Sequence, residues 1–259
     1  MESNGISIVI PTHNRPDMLM NLLISISKQT FQNFEVIVID DCSSKKEEYA
    51  DVLERSIKIV HNINYFRNER NMGAPYSRNR GIKLAKFDWI ALVDDDDDWI
   101  STKLEKQFSL TKVSNNKLGI IYTWTDMINS KKEVLFKYRA EFEGRCLSRI
   151  INDSFIPSPS VLVRKTALIK SGFFDEKLPS CQDWDMWLRI IKKGYTCAVV
   201  RSVESLYHKH DNDSIGKSPL ASQGYKMFYK KHFVLIVTSF FLRLKFKKVF
   251  YVFKVVFKK

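Results

Sequence analysis

The sequence predicts an α/β fold: a mostly parallel sheet flanked by helices, followed by a basic helical tail. Three observations predict it. Short apolar runs alternate with stretches of helical periodicity through the first hundred residues. Polar residues gather just after the C-terminal ends of those runs, the edge at which open α/β sheets bind ligands. The charge is also segregated. The 259 residues carry a net +13, yet no Asp or Glu follows Asp213, whereas eleven Lys and Arg do. The body is therefore close to neutral, and the basic character belongs to the tail.

The elements follow in order. Ser7–Ile10 is a buried strand that Pro11 ends, and Met18, Leu19, Leu22, Leu23 and Ile26 repeat at helical spacing behind Pro16. Glu35–Ile39 is a second strand running into Asp40 and Asp41. Lys58–His61 reads as a weaker third strand and Ala74–Ala85 as a helix. Trp89–Val93 is a fourth strand, running into five consecutive aspartates, Asp94 to Asp98. Beyond these, Leu118–Tyr122 and Ser160–Val163 read as strands and Asp183–Lys193 as a helix stopped by Gly194, with acceptor-side structure between residues 141 and 160. A hydrophobic content of 44% supports a sizeable core. The division expected is a domain of residues 1–215, with a nucleotide-binding half (1–100) and an acceptor-side half (101–215), then a tail (216–259).

Five adjacent carboxylates repel one another. In isolation such a run is a solvated loop. Between an apolar strand and Trp99 it is anchored at a sheet edge, where a hard divalent cation with oxygen ligands relieves the repulsion. Asp40 and Asp41 either cap the next helix or accept hydrogen bonds from a nucleoside. In Gln182-Asp183-Trp184-Asp185 the acids are either helix caps or include a general base whose pKa desolvation raises. His208 and His210 flank Lys209, and imidazole can complete a metal site.

Taken together these motifs resemble the family 2 glycosyltransferases, from about Ile6 to about Ser214. The residues that carry the resemblance are Ser7–Arg15, Gln29–Asp41, Asn71–Gly81, Trp89–Trp99, Gly172–Glu176 and Gln182–Arg189. The resemblance implies a GT-A fold with a Rossmann-like sheet, an inverting mechanism and a nucleotide-sugar donor, with UDP the favoured carrier. By position it implies that Pro11, Thr12, Arg15, Asp40, Asp41, Arg78, Asp94 and Asp95 line the nucleotide site. Asp94 and Asp96 fall on the DXD motif. Asp96, Asp97 and His210 are implied at a Mn²⁺ or Mg²⁺ site, and Asp183 falls on the catalytic base. Gln182, Trp184 and Asp185 are then expected on the acceptor and donor-sugar side. Gln182 stands where the family often has Glu. The QxxRW motif and membrane spans of the processive synthases do not occur, which favours one sugar per cycle.

The tail supplies a partner. Phe233–Leu242 is apolar but too short to span a bilayer. On a helical wheel Arg243, Lys247, Lys254 and Lys258 share one side, with Phe246, Val249, Phe250, Phe253 and Phe257 elsewhere. A basic, Phe-rich helix fits an anionic membrane surface; the alternative is a terminal helix packed on the domain. With no secretory signal, and with cysteines (Cys42, Cys146, Cys181, Cys197) that show no CxxC or zinc spacing, the expected place is the cytoplasm, peripheral on the inner face of the membrane. A lipid-linked saccharide or glycan acceptor in bacterial surface-polysaccharide synthesis fits it. Two other classes stay open at this point. A metal-dependent nucleotidyltransferase would lack its Gly-rich phosphate loop, and a nucleic-acid-binding protein would have a neutral body. The absence of GxGxxG argues against a dehydrogenase.

Overall fold

The computed structural model describes residues 4–112, 115–209, 219–242 and 246–257. The first half is β1 (Ile6–Thr12), α1 (Pro16–Ser27), β2 (Phe34–Asp40), α2 (Lys46–Ile57), β3 (Ile63–Arg67), α3 (Ala74–Leu84) and β4 (Trp89–Leu92). β1, β2 and β4 are buried along their whole length, as strands covered on both faces must be. One core holds Ile6, Ile8 and Ile10 against Leu19, Leu22 and Leu23 of α1 and Tyr49 and Val52 of α2. The other holds Val9, Ile37 and Ile39 against Ile82 of α3. Gly81 sits on Val9, where an added Cβ would come within 2.4 Å of a valine methyl. That close approach fixes α3 on the sheet.

The third strand lies later than the Lys58–His61 run predicts. α2 continues to Ile57, and Lys58 is its C-cap. Val60 is 2% exposed because it plugs the turn after the helix. Ile63 opens the strand, in parallel register with Val36.

The second half comprises β5 (Asp98–Trp99), α4 (Lys103–Lys112), β6 (Leu118–Ile128), β7 (Val134–Tyr138), α5 (Leu147–Ile150), a 3-10 turn (Ser158–Ser160), β8 (Leu162–Arg164), α6 (Lys165–Lys170), α7 (Gln182–Lys192) and β9 (Thr196–His208). The sheet order is β3-β2-β1-β4-β8-β6-β9-β5, with β7 on the outer part of β6. The first four strands are parallel. β8 runs antiparallel to both β4 and β6, and β6 and β9 are parallel to each other. Two of the cysteines, unconnected in spacing, meet: the Sγ atoms of Cys146 and Cys197 are 2.6 Å apart and buried, both as free thiols.

The tail forms α8 (Pro219–Lys231), α9 (Phe233–Phe241) and α10 (Phe246–Phe257). It does not hang free of the domain. Phe228, Ile236, Phe240 and Val252 are buried in the same core as Trp184 and Met186 of α7. The opposite surface stays apolar in water: Val234, Leu242 and Phe250 are each more than three-quarters exposed, and Phe241 is 59% exposed. Among the described residues, no helix is long and apolar enough to cross a membrane.

Candidate active site

The cleft forms where β1, β2 and β4 end, opposite the N-terminus of α7. Strand β1 delivers Thr12, whose hydroxyl donates to Asp95 Oδ2 at 2.7 Å. The Tyr49 hydroxyl lies 2.7 Å from the same Thr12 oxygen and donates to it, while the Arg15 main-chain N–H donates to Tyr49 at 3.0 Å. Tyr49 therefore fixes both sequence-predicted residues. Its signal in the sequence was only that of a buried helix position. Arg15 reaches Asp96 at 2.9 Å and Asp95 at 3.4 Å.

The far side is tied in by Arg78 from α3. Its guanidinium donates to Asp94 Oδ1 at 2.5 Å and to Gln182 Oε1 at 3.1 Å. Arg78 is 4% exposed. Burial would lower its pKa, but Asp94, Asp183 and Asp97 outweigh burial and raise it. A single buried cation thus joins the aspartate run to the start of α7. Gln182 also donates to the Leu178 carbonyl, so a residue where the family often has Glu acts here as a neutral bridge.

The carboxylates are not equivalent. Burial, with Asp96 and Asp94 adding to it, raises Asp95 to about 7 against the Thr12 hydrogen bond and Arg15. Asp97 is 2% exposed, and neither of its oxygens has a side-chain hydrogen-bond partner. Burial raises its pKa well above the carboxylate range; Asp96 and Asp94 push the same way, and the His208 main chain eases it slightly. Asp98 turns instead to His208 at the end of β9, with Nε2 2.9 Å from Oδ2. Asp183 occupies the first turn of α7. Its side chain is partly open to the cleft, but Oδ1 is shielded and unpartnered. Burial raises its pKa, with Asp94 adding to it, against the charge of Arg78 and a side-chain hydrogen bond with Ser158.

Several expectations need correction. Asp40 has no face for a nucleotide. It is fully buried and accepts from Ser43, Tyr65 and Arg67, so it folds the loop wall rather than lining the pocket. Pro11 is a buried strand residue opposite Ile39. Trp184 and Asp185 turn away from the cleft, because successive helix residues rotate by about 100°. Trp184 stacks on Phe228 of the tail, and Asp185 is fully buried against Arg189, Lys231 and His232. Asp41 stays at the pocket edge, where it accepts from Asn68 and from the main chain of Met72 and Gly73 and so shapes the loop before α3. His210 lies outside the described residues.

A divalent cation is implied by the resemblance, and the donor set can be tested against it. Among the described residues, no three His, Cys, Asp or Glu side chains form a ready cage. Two buried oxygens on Asp97 without side-chain partners, beside Asp96, nevertheless fit a hard cation that takes one or two carboxylates and completes its shell with water and phosphate.

Known proteins share this architecture. The chain is 27% identical to the amylovoran biosynthesis glycosyltransferase AmsB of Erwinia amylovora, over 80% of this chain and 71% of AmsB. It superposes on S. aureus TarS (residues 1–349) in complex with UDP-GlcNAc with a TM-score of 0.67 at 19% identity. It superposes on the mannosyltransferase PcManGT of Pyrobaculum calidifontis, in complex with GDP-Man and Mn²⁺, with a TM-score of 0.66 at 14% identity. It covers 91% and 88% of its own length in these comparisons, and 66% and 64% of those chains. These likenesses establish the GT-A fold. Residues 7–176 match the description of glycosyl transferase family 2, a span that holds the whole aspartate cleft but stops short of Asp183. By that match over most of its length, the chain belongs to glycosyl transferase family 2.

Proposed function

We propose that this chain is an inverting, metal-dependent glycosyltransferase. It moves one sugar from a nucleotide-sugar donor, a UDP-hexose or UDP-N-acetylhexosamine, to a hydroxyl of a glycan or lipid-linked saccharide in bacterial surface-polysaccharide synthesis. The observation that carries the reading is the bridge through Arg78, which sets the Asp94–Asp97 loop against Asp183. A phosphate-handling acidic loop and a partly desolvated carboxylate then face one cleft. The UDP-GlcNAc complex of TarS and the amylovoran assignment of AmsB support the donor and the pathway class.

In this reading Thr12 and Arg15 hold the loop to which the diphosphate docks. Asp183 accepts the proton of the acceptor hydroxyl as that oxygen attacks the anomeric carbon. The carbon–oxygen bond to the diphosphate breaks on the opposite face, and the nucleoside diphosphate leaves. A divalent cation at Asp96 and Asp97 would supply charge neutralisation for that leaving group. Burial strengthens every charge interaction in this cleft.

The direct test is a thermal-shift panel of sugar nucleotides with and without Mn²⁺. The cognate donor at about a hundredfold excess over its Kd should stabilise the protein by ~2.7 kcal/mol, a rise of roughly 5–10 °C for a chain of this size. Turnover should release nucleoside diphosphate. Release of pyrophosphate would identify a nucleotidyltransferase instead.

The tail's outer surface completes the proposal. Exposed Phe241, Leu242 and Phe250 lie close in sequence to the exposed Lys247, Lys248 and Lys254, a combination that suits an anionic bilayer surface. Replacing Phe241 or Phe250 with Glu should weaken co-sedimentation with vesicles of acidic phospholipid about tenfold each, since inserting a Phe contributes ~1.5–3 kcal/mol. Equal binding by these variants and the parent would remove the membrane from the proposal.

A further inference from the structure

The tail also reaches the reaction centre from behind. Asp183 is bracketed by three residues that face α8 rather than the cleft. Ahead of it, Ser180 donates to the Ala221 carbonyl at 3.2 Å. At Gly224 a Cβ would fall 1.9 Å from Ser180 Oγ and 2.9 Å from the Ser180 main-chain nitrogen, so only glycine lets α8 lie this close. The next residue, Cys181, is the N-cap of α7 and adopts a left-handed φ of 59°. That conformation is costly for a non-glycine residue and persists only where its surroundings impose it. Just after the base, Trp184 stacks on Phe228 with ring centroids 4.1 Å apart and an interplanar angle of 21°. Asp185 accepts from His232 Nε2 at 2.7 Å and pairs with Lys231 at 2.9 Å. Asp185 is 0% exposed and His232 is 7% exposed.

We propose that α8 and His232 are the positioning element of the catalytic base, clamping residues 180–185 so that Asp183 points into the cleft. The proposal rests on the reading of Asp183 as the base. On the cleft side the carboxylate has one side-chain hydrogen bond, to Ser158, and feels the charge of Arg78. Oδ1 is unpartnered, and the hydrogen bonds of Arg78 go to Asp94 and Gln182, with its buried Nε left without a partner. Ser158 can hold that carboxylate only if the first turn of α7 presents it, and the tail packs directly against that turn. Misplacing a reacting group by about 1 Å costs on the order of a hundredfold in rate. The C-terminal helices are thus part of the catalytic apparatus although none of their described residues enters the cleft. Asp185 shows how firm the clamp is: burial would raise its pKa, yet His232 first, then Arg189 and Lys231, hold it at about 2.

The experiment is a cycle on the full-length chain with the cognate donor. His232→Ala should lower kcat by at least about tenfold while the donor KM stays within about twofold. His232→Gln, which keeps a donor toward Asp185, should recover most of the loss. Gly224→Ala should reproduce the effect from the other side of the base. In the background of Asp183→Asn, His232→Ala should cost nothing further in residual turnover, because a residue that acts only through Asp183 is silent once the base is gone. The same fold-loss in both backgrounds, or no loss from His232→Ala and Gly224→Ala in folded, donor-binding protein, overturns the clamp. Wild-type turnover by Asp183→Asn alone would instead overturn the base assignment, so the two failures are told apart.

Discussion

Asp183→Asn should lower kcat by about 10³-fold, within the 10²–10⁴ that a positioned general base contributes, and leave the donor KM within about twofold. The asymmetry follows from geometry. The donor is held by the opposite wall, where Thr12, Arg15 and the aspartate loop interlock, and asparagine preserves the shape of the α7 turn. Only the capacity to accept a proton is lost. The pH profile checks the same assignment. A base works when deprotonated, so kcat/KM falls as pH drops through its pKa. Burial raises the Asp183 pKa against Arg78. The acidic limb should therefore stand above the pH of an ordinary aspartate, and it should vanish in Asp183→Asn. Steady-state kinetics between about pH 5 and 9 measure both. A variant that retained most of its turnover, or an unchanged acidic limb, would remove Asp183 from the mechanism.

Local chemistry made part of this site legible and left the rest hidden. The strands β1, β2 and β4 could be read because full burial on both faces writes an unbroken apolar run, and the acids following those runs mark the sheet edge. β9 is thirteen residues long, yet it was invisible. Its run is broken by Arg201 and Glu204, many positions are half-buried, and its pairing with β6 shifts register more than once. Lys58–His61 looked like a strand because Val60 is apolar and buried, but its burial comes from plugging a turn. Trp184 and Asp185 were placed with Asp183 by adjacency in sequence; a helix turns adjacency into separation, and only the docked tail reveals what they face. Likewise the pairs Thr12–Asp95 and Arg78–Gln182 join residues about 80 and 100 positions apart. No local pattern encodes such a meeting, although the order of the motifs along the chain foretold that their segments share one edge.

Asp97→Asn should make the metal-free protein more stable while abolishing its response to Mn²⁺. Both carboxylate oxygens of Asp97 are buried without side-chain partners, beside Asp94 and Asp96. Ionising such a group in the folded chain is costly, so its folded pKa lies well above that of the unfolded chain. The sign of the linkage follows. Between the unfolded pKa near 3.8 and the raised folded value, the native state binds the extra proton, and stability declines as pH rises through that window. Asp95, raised to about 7, pulls the same way. Asparagine removes the ionisation and can donate to the neighbouring carboxylates. In chelator at pH 8 a gain of roughly 1–3 kcal/mol is expected, the scale of an uncompensated buried polar group, or about 2–4 °C per kcal/mol in melting temperature. The gain should shrink toward pH 5, the direction in which the wild-type residue takes up its proton. Adding Mn²⁺ with nucleoside diphosphate should reverse the order: the wild type gains stability by occupying Asp97, and the variant gains little. Melts of both proteins at the two pH values, with chelator and with metal, decide it. A variant less stable than wild type at pH 8 in chelator would mean that Asp97 is satisfied as it stands. If so, the destabilising acid held in readiness for a cation, the trade of stability for function seen at many active sites, is absent from this cleft.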